Sequence, residues 1–128
     1  MAEIVLKRKT YEELLKWKKE YAPEYALFLK GARRVGKTTI AEELGKNEYK
    51  SFITINFQST NDTVRDLFVN SLLDLDYFFN VIQLQYGKKL YKRASLIILD
   101  EIQLYPLARQ ALKTLLADGR YDYIETGS

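Results

Sequence analysis

Ala26-Leu27-Phe28-Leu29-Lys30-Gly31-Ala32-Arg33-Arg34-Val35-Gly36-Lys37-Thr38-Thr39-Ile40-Ala41-Glu42-Glu43-Leu44 is an apolar run, a loop bounded by two glycines and a helix-like segment in succession. The loop, Gly31 to Thr38, reads G-x-x-x-x-G-K-T, the phosphate-binding pattern. Gly31 and Gly36 permit backbone angles that a side chain forbids, so the loop can curl and turn successive N–H groups inward on an anion. A helix beginning near Lys37 adds the positive end of its dipole and its unpaired first-turn N–H groups, and the cradle predicted for phosphate runs from Gly31 through Thr39. In this pattern Lys37 reaches the β- and γ-phosphates, and the Thr38 hydroxyl ligates the magnesium ion that bridges them. A turn that matches by chance is the alternative. The apolar strand before the loop and the helix after it, both of which the pattern requires, weigh against that.

Further along, Leu96-Ile97-Ile98-Leu99-Asp100-Glu101 is four apolar residues running into two acids. A strand that apolar must be covered on both faces, which puts it in the middle of a parallel sheet. Ligands of such sheets bind beyond the carboxyl ends of the strands, where Asp100 and Glu101 lie and where the phosphate loop leaves its own strand. Asp100 is then expected to hold magnesium opposite Thr38. Glu101 is expected to orient or deprotonate the water that attacks the γ-phosphate, a contribution of about a hundred- to ten-thousand-fold for a well-placed base. The neighbouring glutamate also sorts among nucleotide-binding classes. GTPases carry N-K-x-D and D-x-x-G, absent here, and nucleoside kinases usually lack a glutamate directly after the aspartate, so ATP hydrolysis is the expectation.

Outward from the loop toward the N-terminus, Thr10-x-x-Glu13 has capping-box spacing and predicts a helix starting there, with Tyr11, Leu14, Leu15 and Lys18 on one face and Pro23 ending it. The preceding Lys7-Arg8-Lys9 reads as a solvated basic turn, with Arg8 near a nucleotide base as the alternative. Toward the C-terminus, Ser51–Phe57 is a β-branched and aromatic strand whose Phe52, Thr54 and Asn56 face is the less buried, as nearer a sheet edge. Asn61 or Asp62 caps a helix striped by Val64, Leu67, Phe68, Ser71, Leu72 and Leu75, and Tyr77–Tyr86 continues as a second helix that Gly87 ends. In Lys88–Arg93 aromatics and cations interleave. Lysines complementing a helix end, with tyrosines packed on the sheet, account for this; a nucleic-acid surface is the other reading. Pro106 opens and Gly119 closes a last helix, with Ala108, Ala111, Leu112, Leu115 and Leu116 on one face, before a strand over Tyr121–Ser128.

With 128 residues, 47% of them hydrophobic, the chain fits a single domain with an ample core. It has no cysteine, which excludes disulfides and thiolate metal sites, and no histidine, so chemistry must run on carboxylates, lysine, arginine, hydroxyls and backbone. A net charge of +3 is weak evidence for nucleic acid. No apolar stretch approaches the ~20 residues of a membrane span and no signal peptide opens the chain, so the expected compartment is cytoplasmic.

Taken together, Gly31-Ala-Arg-Arg-Val-Gly-Lys-Thr, Leu99-Asp-Glu-Ile-Gln-Leu-Tyr-Pro and Tyr123-Ile-Glu-Thr-Gly-Ser resemble the N-terminal ATPase domain of a prokaryotic AAA+-like family. The resemblance implies a three-layer α/β P-loop fold with a mainly parallel sheet. The loop strand lies beside the strand ending at Thr126, which neighbours the strand ending at Asp100, with Ser51–Phe57 at one edge. It also implies that Thr126 or Ser128 stands at the sensor position against the γ-phosphate or the attacking water. Arg33 and Arg34 are open to phosphate, a neighbouring subunit or the solvent-facing rim. Relatives continue past the sensor strand into a fifth strand, a lid, an arginine finger and a C-terminal domain. A chain stopping at Ser128 is expected to leave its loop strand as a long apolar edge that invites self-association. A nucleotide-dependent switch with little hydrolysis and a nucleic-acid-stimulated ATPase are the other functional classes this reading leaves open.

Overall fold

The structure, a computed structural model, describes residues 2–31 and 36–127. Its elements in order are α1 (Ala2–Glu20), β1 (Leu27–Lys30), α2 (Lys37–Glu48), β2 (Ser51–Asn56), α3 (Asp62–Asn70), α4 (Leu75–Tyr86), β3 (Ser95–Asp100), a 3-10 turn (Ile102–Leu104), α5 (Pro106–Asp118) and β4 (Asp122–Gly127). The four strands form one parallel sheet in the order β1-β4-β3-β2. Every residue of β3 and β4 is buried, as two central strands covered on both faces require. In β2, at the sheet edge, Ile53 and Ile55 are buried while Phe52, Thr54 and Asn56 are only half-buried, the alternation read from the sequence.

Strand side chains alternate between faces. Leu96, Ile98 and Ile124 therefore point to one side, where they pack with Leu14 and Trp17 of α1 and Ile40, Ala41 and Leu44 of α2. Ile97, Leu99 and Tyr123 point to the other, into a larger core built with α3, α4 and α5 around Phe57, Phe68, Phe78 and Phe79. Each such aliphatic or aromatic side chain contributes about 1.5–3 kcal/mol by burial. The result is the expected three-layer α/β architecture. Local signals hold at the helix ends. Asn61 Oδ1 accepts from Val64 N at 3.0 Å, Asp74 Oδ1 accepts from Tyr77 N at 3.1 Å, Pro106 stands in the first turn of α5, and Gly87 and Gly119 close α4 and α5. Among the described residues no helix is long and apolar enough to cross a membrane.

Four expectations are corrected. α1 begins at Ala2, so Lys7-Arg8-Lys9 is helical and Thr10–Glu13 lies inside the helix; capping-box spacing recurs within helices, and no glycine or proline precedes it to break the turn. The stripe from Val64 to Leu75 is two helices, because the α3 backbone ends at Ser71 and Asp74 caps a new one that starts at Leu75. β1 is an edge strand, as implied, but it has four residues, with Leu27, Phe28 and Leu29 partly covered, and is not long. Lys88–Arg93 follows the α4 C-cap Gly87, with Lys88 N donating to Gln83 O at 3.2 Å, but its lysine ammoniums lie over rings: Lys88 is 4.3 Å from the Phe52 ring centroid, and Lys89, with Lys50, lies over Tyr91 at 5.4 and 4.1 Å. Arg93 pairs with the buried Asp122, which also accepts from Tyr49 Oη at 2.6 Å. Burial, and then that carboxylate, push the Tyr49 phenol far above its ordinary range.

Candidate functional site

A parallel sheet delivers the carboxyl ends of all its strands to one rim, and here that rim gathers Gly31 after β1, Asp100 and Glu101 at the end of β3, and Thr126 and Gly127 at the end of β4. β4 lies between the other two, paired Leu29 to Thr126 on one side and Leu99 to Glu125 on the other. Gly31 N donates to Gly127 O at 3.1 Å, which carries the β1–β4 pairing into the loop. Gly36 stands at the N-cap of α2 with φ 75° and ψ 26°, a left-handed conformation that glycine adopts without steric penalty.

Lys37, the first residue of α2, is buried, with 6% of its surface exposed. A buried ammonium is costly unless its protons are taken up. Its Nζ donates to Gly31 O at 2.5 Å and to Gly127 O at 2.8 Å, which engages two of its three donors. The next residue, Thr38, donates from Oγ1 to Asp100 Oδ1 at 2.6 Å, and Thr126 Oγ1 donates to the same oxygen at 2.5 Å. Thr126, fully buried, also accepts from Glu101 N at 3.0 Å. Two hydroxyls thus join α2 and β4 to the Asp100 carboxylate at the end of β3, and the Glu101 amide adds a second tie to β4 through Thr126. Among the described residues no group of three or more acids collects into a cage for a metal. Thr38 and Asp100 nevertheless form an adjacent hydroxyl and carboxylate, the hard oxygen donors that suit magnesium when phosphate and water complete its shell.

Glu101 is buried and left-handed, with φ 58° and ψ 46°. Such a conformation costs a residue other than glycine about 1–3 kcal/mol and persists only where its surroundings hold it. Three contacts do so. Its N–H is bound to Thr126, its carbonyl accepts from Leu104 N at 3.0 Å, and its Oε2 accepts from Gln103 Nε2 at 2.7 Å.

The rim brings together Gly31, Gly36, Lys37, Thr38, Asp100, Glu101 and Thr126 of the residues singled out in the sequence. Thr39 is exposed on the first turn of α2, and Arg8 is exposed on α1. Ala32, Arg33, Arg34, Val35 and Ser128 lie outside the described residues. Two participants were given no role by the sequence reading: Gln103, visible only as the last letter of Asp-Glu-Ile-Gln, and the Gly127 carbonyl, which as backbone leaves no signal. On the far face of β4, Glu125 is buried with its Oε1 3.5 Å from Arg109 Nε; burial raises its carboxyl, against the opposing pull of Arg109.

Residues 23–128 match a family described as an AAA domain. No curated protein matches the sequence. Among solved structures, that of C. elegans PCH-2 aligns over 96% of this chain with a TM-score of 0.52 and 12% sequence identity. At that identity the likeness speaks to fold alone, and this chain spans 36% of the length of that one.

Proposed function

The chain belongs to the AAA domain family, and from that premise we propose that it binds ATP with magnesium and, in a longer full-length protein, hydrolyses it to ADP and phosphate. The observation that carries this reading is the convergence of Thr38 and Thr126 on Asp100, with Glu101 next in sequence and Lys37 beside them on the same rim. Backbone N–H groups from Gly31 to Thr39 cradle the phosphates, with the N-terminus of α2 behind them. Lys37 exchanges its carbonyl partners for β- and γ-phosphate oxygens. Thr38 and Asp100 would hold magnesium, which when bound would neutralise negative charge developing on the transferred phosphoryl group. Glu101 orients a water and takes its proton as the water oxygen bonds to the γ-phosphorus and the bond to the ADP oxygen breaks. Thr126, with Ser128 beyond it, is the sensor that reports the γ-phosphate to β3.

On this reading the 128 residues are one ATPase domain that works with a C-terminal domain of the same protein and with a second copy as homo-oligomer. An arginine finger then comes from one of those.

The test is calorimetry of ATP with and without magnesium, with turnover assayed in the same samples, on wild type, Lys37→Ala and Glu101→Gln. Magnesium-dependent binding lost in Lys37→Ala, with turnover lost and binding kept in Glu101→Gln, supports it. Binding without turnover in the full-length protein replaces hydrolysis by a nucleotide-dependent switch, and no binding overturns the reading.

A further inference from the structure

We propose that Gln103 is a positioning residue for Glu101, fixing the carboxylate of the general base through its side-chain amide; the inference rests on the hydrolytic reading above. Glu101 and Gln103 are separated by Ile102, which is 1% exposed and anchors the 3-10 turn in the core beneath α5. Tyr105, just past the turn, is tied back through its N–H to Ile102 O at 3.0 Å, and its ring stacks on Phe57 with centroids 5.6 Å apart. Anchored at both ends, the turn returns the Gln103 side chain over Glu101, where Nε2 donates to Oε2. That bond engages one carboxylate oxygen and leaves Oε1 for a water.

Gln103 is itself seated by the end of β4. A Cβ at Gly127 would lie 2.9 Å from Gln103 Oε1 and 3.2 Å from the Phe28 ring, so the amide occupies the space that a side chain there would take. The carbonyl of the same Gly127 accepts from Lys37. The group that holds the base and the group that holds the phosphate lysine therefore rest on one residue, and the base is fixed at both ends: its N–H by Thr126, its carboxylate by Gln103. A general base must be held in a near-attack geometry, and a misplacement of about 1 Å costs on the order of a hundredfold in rate. Glutamine suits the task because it donates without charge. Glutamate at this position would repel Glu101, and asparagine is one methylene short.

The experiment is steady-state ATP hydrolysis by the full-length protein carrying Gln103→Ala, Glu101→Gln and both changes, with ATP affinity and thermal stability measured on each. The expected result is a kcat about ten- to a hundredfold lower in Gln103→Ala with KM and ATP affinity unchanged. The double variant is expected to be no slower than Glu101→Gln alone, since a residue that acts only through Glu101 has nothing left to position. In parallel, the Gln103 side-chain amide resonances should move in Glu101→Ala. An unchanged kcat in Gln103→Ala, a further loss in the double variant, or amide resonances indifferent to Glu101 would overturn the proposal while leaving the hydrolytic reading standing. No turnover by the wild type overturns both.

Discussion

Lys37 Nζ lies 2.8 Å from the carbonyl oxygen of Gly127, so the first turn of α2 is bonded to the last residue of β4. On the proposed reading the same ammonium engages phosphate. Truncation to Lys37→Ala removes the ammonium but leaves Gly127 O its bond from Gly31 N. The fold is therefore expected to survive with a loss of no more than about 1–2 kcal/mol. ATP affinity is expected to fall by more than about thirtyfold, as for removing one member of a buried charge pair. Thermal melting beside calorimetry separates the two effects; a variant that fails to fold would contradict the first.

Thr126→Val keeps the shape of the side chain and removes its hydroxyl. Glu101 N then loses its acceptor, and Asp100 Oδ1 loses one of two donors, all in a buried setting. The cost should be about 1–3 kcal/mol, the penalty for orphaned buried polar groups, with Thr126→Ser recovering most of it. Denaturant titration of both variants checks this, and equal stability of Val and wild type would show the hydroxyl to be replaceable.

Gly45→Ala pits two effects against each other. Alanine favours a helix over glycine by about 1 kcal/mol. At this position, however, the added methyl would meet the Phe52 ring and its Cβ at 2.7–2.9 Å, close to the β2 backbone where the ring cannot swing aside. Overpacking of that kind costs about 1–3 kcal/mol. A net loss of stability is expected, and a gain in melting temperature would mean that α2 shifts off β2 without penalty.

Glu125 gives a pH dependence. Burial raises its carboxyl above the ordinary 4.5. Between that value and the raised native one, the folded chain holds the proton more tightly than the unfolded chain does, so this group withdraws stability as pH rises through the window. Glu125→Gln cannot ionise. The stability of the variant relative to wild type should therefore grow as pH climbs from below 4.5 and then level off. Arg109 is more than half exposed and loses little with its partner. Melting temperatures of both proteins between pH 4 and 7 test it, and a difference independent of pH would refute it.

The strands were legible because burial writes a periodicity into them. The unbroken apolar run of β3 and the alternation in β2 each carry their position in the sheet. The strand order rested on resemblance, since nothing local in Leu27–Lys30 says that its partner is Asp122–Gly127. The first turn of α1 and the break between α3 and α4 were misread for a common reason: cap and stripe spacings also occur where the chain continues, or stops, for other causes. At the candidate site, Gly31, Lys37, Thr38, Asp100 and Glu101 stood out in the sequence because their types and spacing match a pattern, and the structure brings these five together on one rim. Gln103 did not, because its importance lies in a turn that folds it back two residues and in a glycine on another strand. Lys88 and Lys89 were read chiefly as complements to a helix end, and their places over the rings of Phe52 and Tyr91 left no local signal of that pairing.

Because β4 lies inside the sheet, between β1 and β3, the order in which the ribosome makes the strands differs from the order in which they can join. β1 emerges first, yet among the described strands it pairs with β4 alone, Leu27 beside Ile124. It must wait until Asp122–Gly127 has been made for that neighbour. Contacts so distant along the chain are slow to close. A nascent chain halted before β4 would carry the entire phosphate loop and still lack the carbonyl that seats Lys37 and the hydroxyl that holds Asp100. On the proposed reading, competence for nucleotide would then arrive in one step, with β4, and retention on an ATP matrix would distinguish chains that include Asp122–Gly127 from those that stop short of it.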